Sequence, residues 1–236
     1  MLGTYKKSYC RMVRSLKTST RFLSMLVITT LLFLSGLPAS SQDSTFLLRK
    51  DDRVRGDQRA PVTLLEYSDY TCGYCEKFFE ETWPLLFSDY IQTGKVRLIY
   101  RDFPRAINGP SVDTAMAARC AGEQGQYWSM HDRLFASHRK FSRDQLQKQA
   151  EDLRLNIQQF NKCFQEERYM ESIYQDRMEG GSIGVRGTPH FILFLTHNPE
   201  AGPFLVIPGA FPYTSFQEQI EHLLVKSSKP NNSNPL

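Results

Sequence analysis

The sequence predicts an α/β fold: a strand–helix–strand unit and a β-hairpin share one sheet, and a block of helices is inserted between them. Three stretches predict it. Residues 62–67 form a β-type run that passes through a short polar turn into a helical spacing of Phe78, Phe79, Trp83 and Leu86. Residues 95–100 alternate and supply a second strand, with a right-handed crossover expected between the two. Residues 191–195 are strongly apolar, and a polar turn at 196–202 returns the chain through Phe204, Leu205, Val206 and Ile207, as a hairpin does. At 236 residues there is room for one core of moderate size, or one core carrying an insertion.

The first 41 residues stand apart. They carry Lys6, Lys7, Arg11, Arg14, Lys17 and Arg21 with no acid, then an apolar run at 22–37, then Ala39, Ser40 and Ser41. A basic start, an apolar stretch of about 15 residues and an Ala-x-Ser cleavage point describe an export signal. The apolar run is interrupted by Ser24, Thr29, Thr30 and Ser35 and is short for a stable span, yet the long basic start also fits an uncleaved membrane anchor. Either way, residues beyond 42 are expected outside the cytoplasm, periplasmic or otherwise extracytoplasmic, where disulfides persist. The remainder carries 23 basic against 25 acidic residues, so no electrostatic case for nucleic-acid binding exists.

Residues 42–60 are polar, with a turn at Gly56-Asp57, and read as a linker with one short strand near 45–48. The domain proper is expected over 61–226. Pro84 should kink the first helix, because it lacks an N–H and clashes with the preceding turn. Within 110–179, Val112, Ala115, Met116, Arg119 and Cys120 share one helical face, and Tyr127, Met130, His131 and Leu134 share the next. Ser142-x-x-Gln145 and Asn156-x-x-Gln159 are capping-box patterns that open two more helices. In the last of these, Phe160, Cys163 and Phe164 line one face and Gly180-Gly181 ends it. The helical insertion thus spans roughly residues 109–180. A closing helix is expected over 214–225, with Phe216, Ile220, Leu223 and Leu224 inward. Residues 227–236, rich in Asn and Pro, are expected to be disordered.

Of the five cysteines, Cys10 lies in the amino-terminal segment. Cys72, Cys75, Cys120 and Cys163 allow three pairings, and the one with chemical sense is a redox pair at 72/75 with a separate bridge at 120/163. Cys72-Gly73-Tyr74-Cys75 stands at a strand-to-helix junction. There the helix's free N–H groups and dipole stabilise an anion, so the Cys72 pKa should fall below the free value of about 8.5. Cys75, one turn deeper, can attack any mixed disulfide that Cys72 forms. No second Cys-x-x-Cys or His-x-His cluster completes a tetrahedral metal site. Cys120 and Cys163 lie on apolar helix faces, bridged or else reduced in the core.

A strand–helix–strand unit with Cys-x-x-Cys at its helix, a helical insertion, then Gly-Thr-Pro before a hairpin and a last helix resembles the thioredoxin fold. More narrowly, it resembles the exported DsbA-like thiol:disulfide oxidoreductases over roughly residues 60–226. The motifs that carry the resemblance are Tyr-Ser-Asp-Tyr-Thr-Cys-Gly-Tyr-Cys at 67–75, Arg-Asp-Phe-Pro at 101–104, Ala-Ala-Arg-Cys-Ala at 117–121 and Gly-Val-Arg-Gly-Thr-Pro at 184–189. The expected fold is therefore α/β, thioredoxin-like with a helical insertion domain. The resemblance implies an exposed nucleophile at Cys72, a resolving thiol at Cys75, and a cis proline at Pro189 lying against them. Thr188 would offer its backbone to a substrate strand. Glu66 would be a buried acid that assists proton movement at Cys75, its pKa raised by desolvation, unless it is a surface carboxylate at an edge.

The same resemblance implies unfolded cysteine-containing polypeptides as clients, a membrane-bound redox partner, no bound cofactor and a monomer. Gly73-Tyr74 departs from the Pro-His dipeptide of the strongly oxidising members and matches that of bacterial disulfide isomerases. Those carry a separate amino-terminal dimerisation domain, for which residues 42–60 are too few. The expected function is oxidation of secreted polypeptides. An isomerase or reductase of the same fold is one alternative, and a non-enzymatic metal-binding or chaperone module that uses the thiols as soft ligands is another.

Overall fold

The structure, a computed structural model, describes residues 48–138 and 141–228. The signal or anchor at 1–41, the start of the linker with most of its expected strand, and the tail beyond 228 lie outside these residues. Five strands form one sheet in the order β1-β3-β2-β4-β5: β1 (Arg53–Arg55), β2 (Val62–Ser68), β3 (Val96–Asp102), β4 (His190–Leu195) and β5 (Leu205–Ile207). β2 and β3 run parallel, with Val62 opposite Val96 and Ser68 opposite Asp102. Every other neighbouring pair is antiparallel, with Tyr67 opposite His190 and Phe191 opposite Ile207.

β2, β3 and β4 are buried at every position, because both faces of the sheet are covered; strands so placed read as near-continuous apolar runs. One face packs Val62, Leu64, Leu98, Phe191 and Leu193 under α1 (Gly73–Glu81), α2 (Trp83–Leu86) and the last helix. The other packs Leu65, Tyr67, Ile99, Ile192 and Phe194 against Val185. α1 stops at Glu81, and Thr82 (φ −106°) turns the chain into α2. The break therefore falls two residues ahead of Pro84, as a missing N–H and a ring clash require.

The insertion comprises α3 (Pro110–Gly122), α4 (Tyr127–Ala136), α5 (Arg143–Asp152), α6 (Ile157–Gln165) and α7 (Met170–Ser182), and α8 (Tyr213–Ser227) closes the chain. Cys120 on α3 and Cys163 on α6 are joined in a disulfide across 43 residues of sequence. Ser142 makes the full reciprocal capping box with Gln145. Asn156 makes half of one: its side chain accepts the Gln159 N–H, while its own N–H donates to Gln124 Oε1 at 2.8 Å.

Three local expectations are corrected. The helix opened by Asn156 does not run to Gly180; Glu167, at φ +47°, ends the first part, and α7 begins afresh at Met170. Gly180 lies inside α7 rather than at its end, and the position is glycine because a Cβ there would sit 2.9 Å from the Tyr67 ring. The helix terminates at Gly184 (φ +99°), a conformation that glycine adopts at little cost. Finally, part of the expected linker is sheet. β1 pairs Arg53 with Tyr100, and Asp52 beside it accepts two hydrogen bonds of 2.9 Å from Arg101 Nη2. Arg-Val-Arg has no apolar alternation to reveal it, yet charged residues suit a strand at the sheet edge.

A buried ion network locks the insertion to the sheet. Arg119 on α3 donates to Asp102 of β3 (2.7 Å) and to Asp176 of α7, and all three are buried. Arg101 bonds Asp52, Glu179 and the Tyr67 hydroxyl.

Candidate active site

Cys72 is the N-cap of α1, with extended backbone (φ −84°, ψ 120°). Its position is set by Asp69. That carboxylate accepts the Thr71 N–H and hydroxyl (both 2.8 Å) through Oδ1, and the Arg105 N–H (2.8 Å) and the Ser111 hydroxyl through Oδ2. The Asp69 carbonyl accepts the Cys72 N–H at 2.9 Å, closing the turn. Arg105 reaches back to the Thr71 carbonyl at 2.8 Å. Asp69 and Arg105 were not singled out from sequence; the Asp two residues ahead of Thr71 is the Asx-turn spacing that could have marked the first of them.

The two thiols, both reduced, differ in environment. The Cys72 pKa is lowered to about 5. A hydrogen bond from the Cys75 side chain contributes most, followed by Thr188 and the backbone N–H groups of Cys75 and Tyr74, all against the opposing effect of burial. Those N–H groups are N3 and N2 of the helix, the donors that an N-cap side chain satisfies. As a thiol, Cys72 Sγ donates to the Thr188 carbonyl at 3.3 Å. As a thiolate it can accept from the Thr188 hydroxyl, which is buried and has no other partner among the described residues. Burial and the neighbouring Cys72 push the Cys75 thiol well above its ordinary value.

The resemblance implies an exposed Cys72, and the structure differs: its relative exposure is 5 %. The sulfur is folded against Thr188, so a client has to reach it along the cleft bordered by Thr188 and Pro189. The Thr188–Pro189 peptide bond is cis. His190 lines the same cleft and is buried, and burial lowers its pKa below the ordinary imidazole value.

Glu66 is not at an edge. It is 3 % exposed, in the middle of β2 with β3 and β4 on either side. Strand alternation places it and Ser68 on the face shared by Leu64, which α1 covers. Desolvation raises its pKa to about 7. Ser68 was not anticipated from sequence. Its buried hydroxyl completes no hydrogen bond of full geometry, yet it lies beside both the Glu66 carboxyl and the Cys75 sulfur and lowers the pKa of each. A serine two residues along the strand from the acid is a periodicity signal, but nothing local distinguishes it from a core hydroxyl.

The arrangement is an acidic thiol at a helix end, a second thiol sealed beneath it, and a carboxyl that titrates near neutrality behind the second. Such a set can exchange disulfides and supply the proton that the inner sulfur needs. The family model described as Thioredoxin matches residues 49–194. A segment of the "Na(+)/H(+) antiporter NhaA 3" of Salinispora tropica is 35% identical over 154 residues, 65% of this chain. The chain spans 23% of that antiporter's length. The "Probable disulfide bond formation protein D" of Bacillus anthracis is 28% identical over 147 residues, covering 57% of this chain and 65% of the relative. The crystal structure of Wolbachia pipientis alpha-DsbA1 superposes with a TM-score of 0.69 at 25% identity, covering 76% of this chain and 94% of that one. Oxidised BdbD of Bacillus subtilis, at 20% identity and a TM-score of 0.64 over 74% of this chain and 93% of that one, shares the fold.

Proposed function

The chain belongs to the thioredoxin family in its DsbA-like branch, a family of protein-disulfide oxidoreductases, and on that premise we propose that it oxidises cysteine pairs in exported polypeptides. The observation that carries this reading is the inequality of the two sulfurs: Cys72 ionises near pH 5, whereas Cys75 resists ionisation. A stabilised thiolate favours the dithiol over the disulfide, which makes the disulfide an oxidant.

The reaction balances in two exchanges. A client thiolate attacks Cys72 Sγ of the Cys72–Cys75 disulfide, and Cys75 departs with the electron pair and takes a proton. Glu66 gives that proton through Ser68, a role supported by its raised pKa and by the hydroxyl it shares with Cys75. A second client thiolate then attacks the client sulfur of the mixed disulfide, and Cys72 leaves as its stabilised thiolate. The client loses two electrons, and the pair gains them. No cofactor takes part, and a membrane-bound partner would withdraw the electrons again. An extracytoplasmic setting is supported by the Cys120–Cys163 bridge, since structural disulfides persist in oxidising compartments. Among the described residues no helix is long and apolar enough to cross a membrane.

The absence of an imidazole between the cysteines favours a second reading, a weaker oxidant acting as isomerase or reductase. Equilibration with glutathione separates the two. A potential near the value of about −120 mV known for DsbA supports the oxidant, and one near the thioredoxin value of about −270 mV overturns it.

A further inference from the structure

The cleft beside the cysteine pair carries charge of one sign. It holds about 630 Å³ and is lined by Tyr74 and Lys77 from α1, by Arg186 and Thr188 ahead of Pro189, and by Phe211 beyond β5. Among the described residues no aspartate or glutamate lines it, and burial lowers the pKa of His190 within it. Arg186 is exposed and held in place: Nη1 donates to the carbonyls of Gly181 (2.8 Å) and Val185 (3.1 Å), and these are its polar contacts among the described residues. Lys77 meets Glu81 at 3.8 Å, an exposed pair that a ligand carboxylate can displace. Tyr74 and Phe211 are 70% and 45% exposed, so two aromatic faces stand open on the same cleft. Apolar walls with a guanidinium that meets only carbonyls among the described residues, and a loosely paired ammonium, fit an extended segment that brings its own negative charge.

We propose that this cleft selects client segments with an acidic residue close to the reacting cysteine, bound through Arg186 and Lys77, with the aromatic walls taking neighbouring apolar side chains. The inference rests on the oxidoreductase reading and names its substrate class. A client strand laid along Thr188 places residues two apart on the same side, and Arg186 lies two residues from Thr188 in the sequence. A carboxylate two residues from the client cysteine therefore faces the guanidinium, while a lysine there is repelled.

The test uses the full chain with Cys10→Ala and Cys75→Ser, its Cys72 held as a mixed disulfide with thionitrobenzoate. A peptide thiolate attacks Cys72 Sγ, the new sulfur–sulfur bond forms, and thionitrobenzoate leaves as a coloured thiolate. Single-cysteine peptides differ only in Glu, Gln or Lys two residues from the cysteine on either side. Each rate is divided by that peptide's rate with hydroxyethyl disulfide, an uncharged reagent, which removes differences in thiol ionisation without favouring either charge. The expected order is Glu, then Gln, then Lys, with about three- to tenfold between the extremes at low salt and less at high salt. Arg186→Glu, alone or with Lys77→Glu, inverts the Glu-to-Lys ratio, and a ratio within one protein is unaffected by partial misfolding. Ratios within twofold of one, or unchanged by both substitutions, overturn the specificity and leave the exchange chemistry standing. Release no faster than from a mixed disulfide of free cysteine, with every peptide, sinks the oxidoreductase reading itself.

Discussion

Replacing Glu66 by glutamine should stabilise the protein, and only above a defined pH. The carboxyl is 3 % exposed between β3 and β4, and burial lifts its pKa from 4.5 to about 7. The folded state therefore holds the proton more tightly than the unfolded chain. Below pH 4.5 both states are protonated and the side chain costs nothing. Between 4.5 and about 7 the unfolded chain ionises first, and stability falls as pH rises. Above that window the penalty is complete. A shift of about 2.5 units corresponds to about 3 kcal/mol. Glutamine has nearly the same shape, remains neutral and can still meet Ser68. Urea unfolding at pH 4 and pH 8 measures it, since the cysteines titrate in both proteins and cancel in the difference. The two proteins should match within error at pH 4, and the variant should exceed wild type by about 3 kcal/mol at pH 8. The same variant should release Cys75 more slowly during exchange. A stability difference that is constant across the two pH values would mean that Glu66 does not titrate as a buried acid, and the proton-supply argument would fall with it.

Other consequences are equally direct. Alkylation of the reduced protein by iodoacetamide should modify Cys72 with a midpoint near pH 5, reactivity being lost as pH falls through it, and should spare Cys75. Thr188→Val removes a donor to the thiolate and should move that midpoint upward; an unmoved midpoint assigns the thiolate to the helix end and Cys75 alone. Arg119→Ala leaves Asp102 and Asp176 buried without their shared cation, and denaturant melts should show a loss of about 3–5 kcal/mol. Cys120→Ala with Cys163→Ala opens a loop of 43 residues and should cost up to about 4 kcal/mol at equilibrium, an effect that reduction of the wild-type bridge reproduces.

The elements readable from the chain alone are those whose cause is local. Cys72 sits at the start of a helix because a β-type run ends in a turn residue, Asp69, three positions earlier, and the N–H groups of that helix end favour its thiolate, with the Cys75 side chain and Thr188 adding more. Ser142 caps α5 through residues three apart. Pro189, by contrast, reaches the pair only because β4 lies against β2, with His190 opposite Tyr67. What only the tertiary structure decided is the outcome of contacts across the sequence. β1 exists because β3 offers Arg53 a free edge, and position 180 within α7 must lack a Cβ because Tyr67, far along the chain, fills that space. Glu66 is an acid near neutrality because two strands and α1 exclude water from it, and Ser68 gains meaning only once Cys75 is folded down beside it. Desolvation and charge placement depend on which groups meet, and no spacing within 62–75 states who the neighbours are.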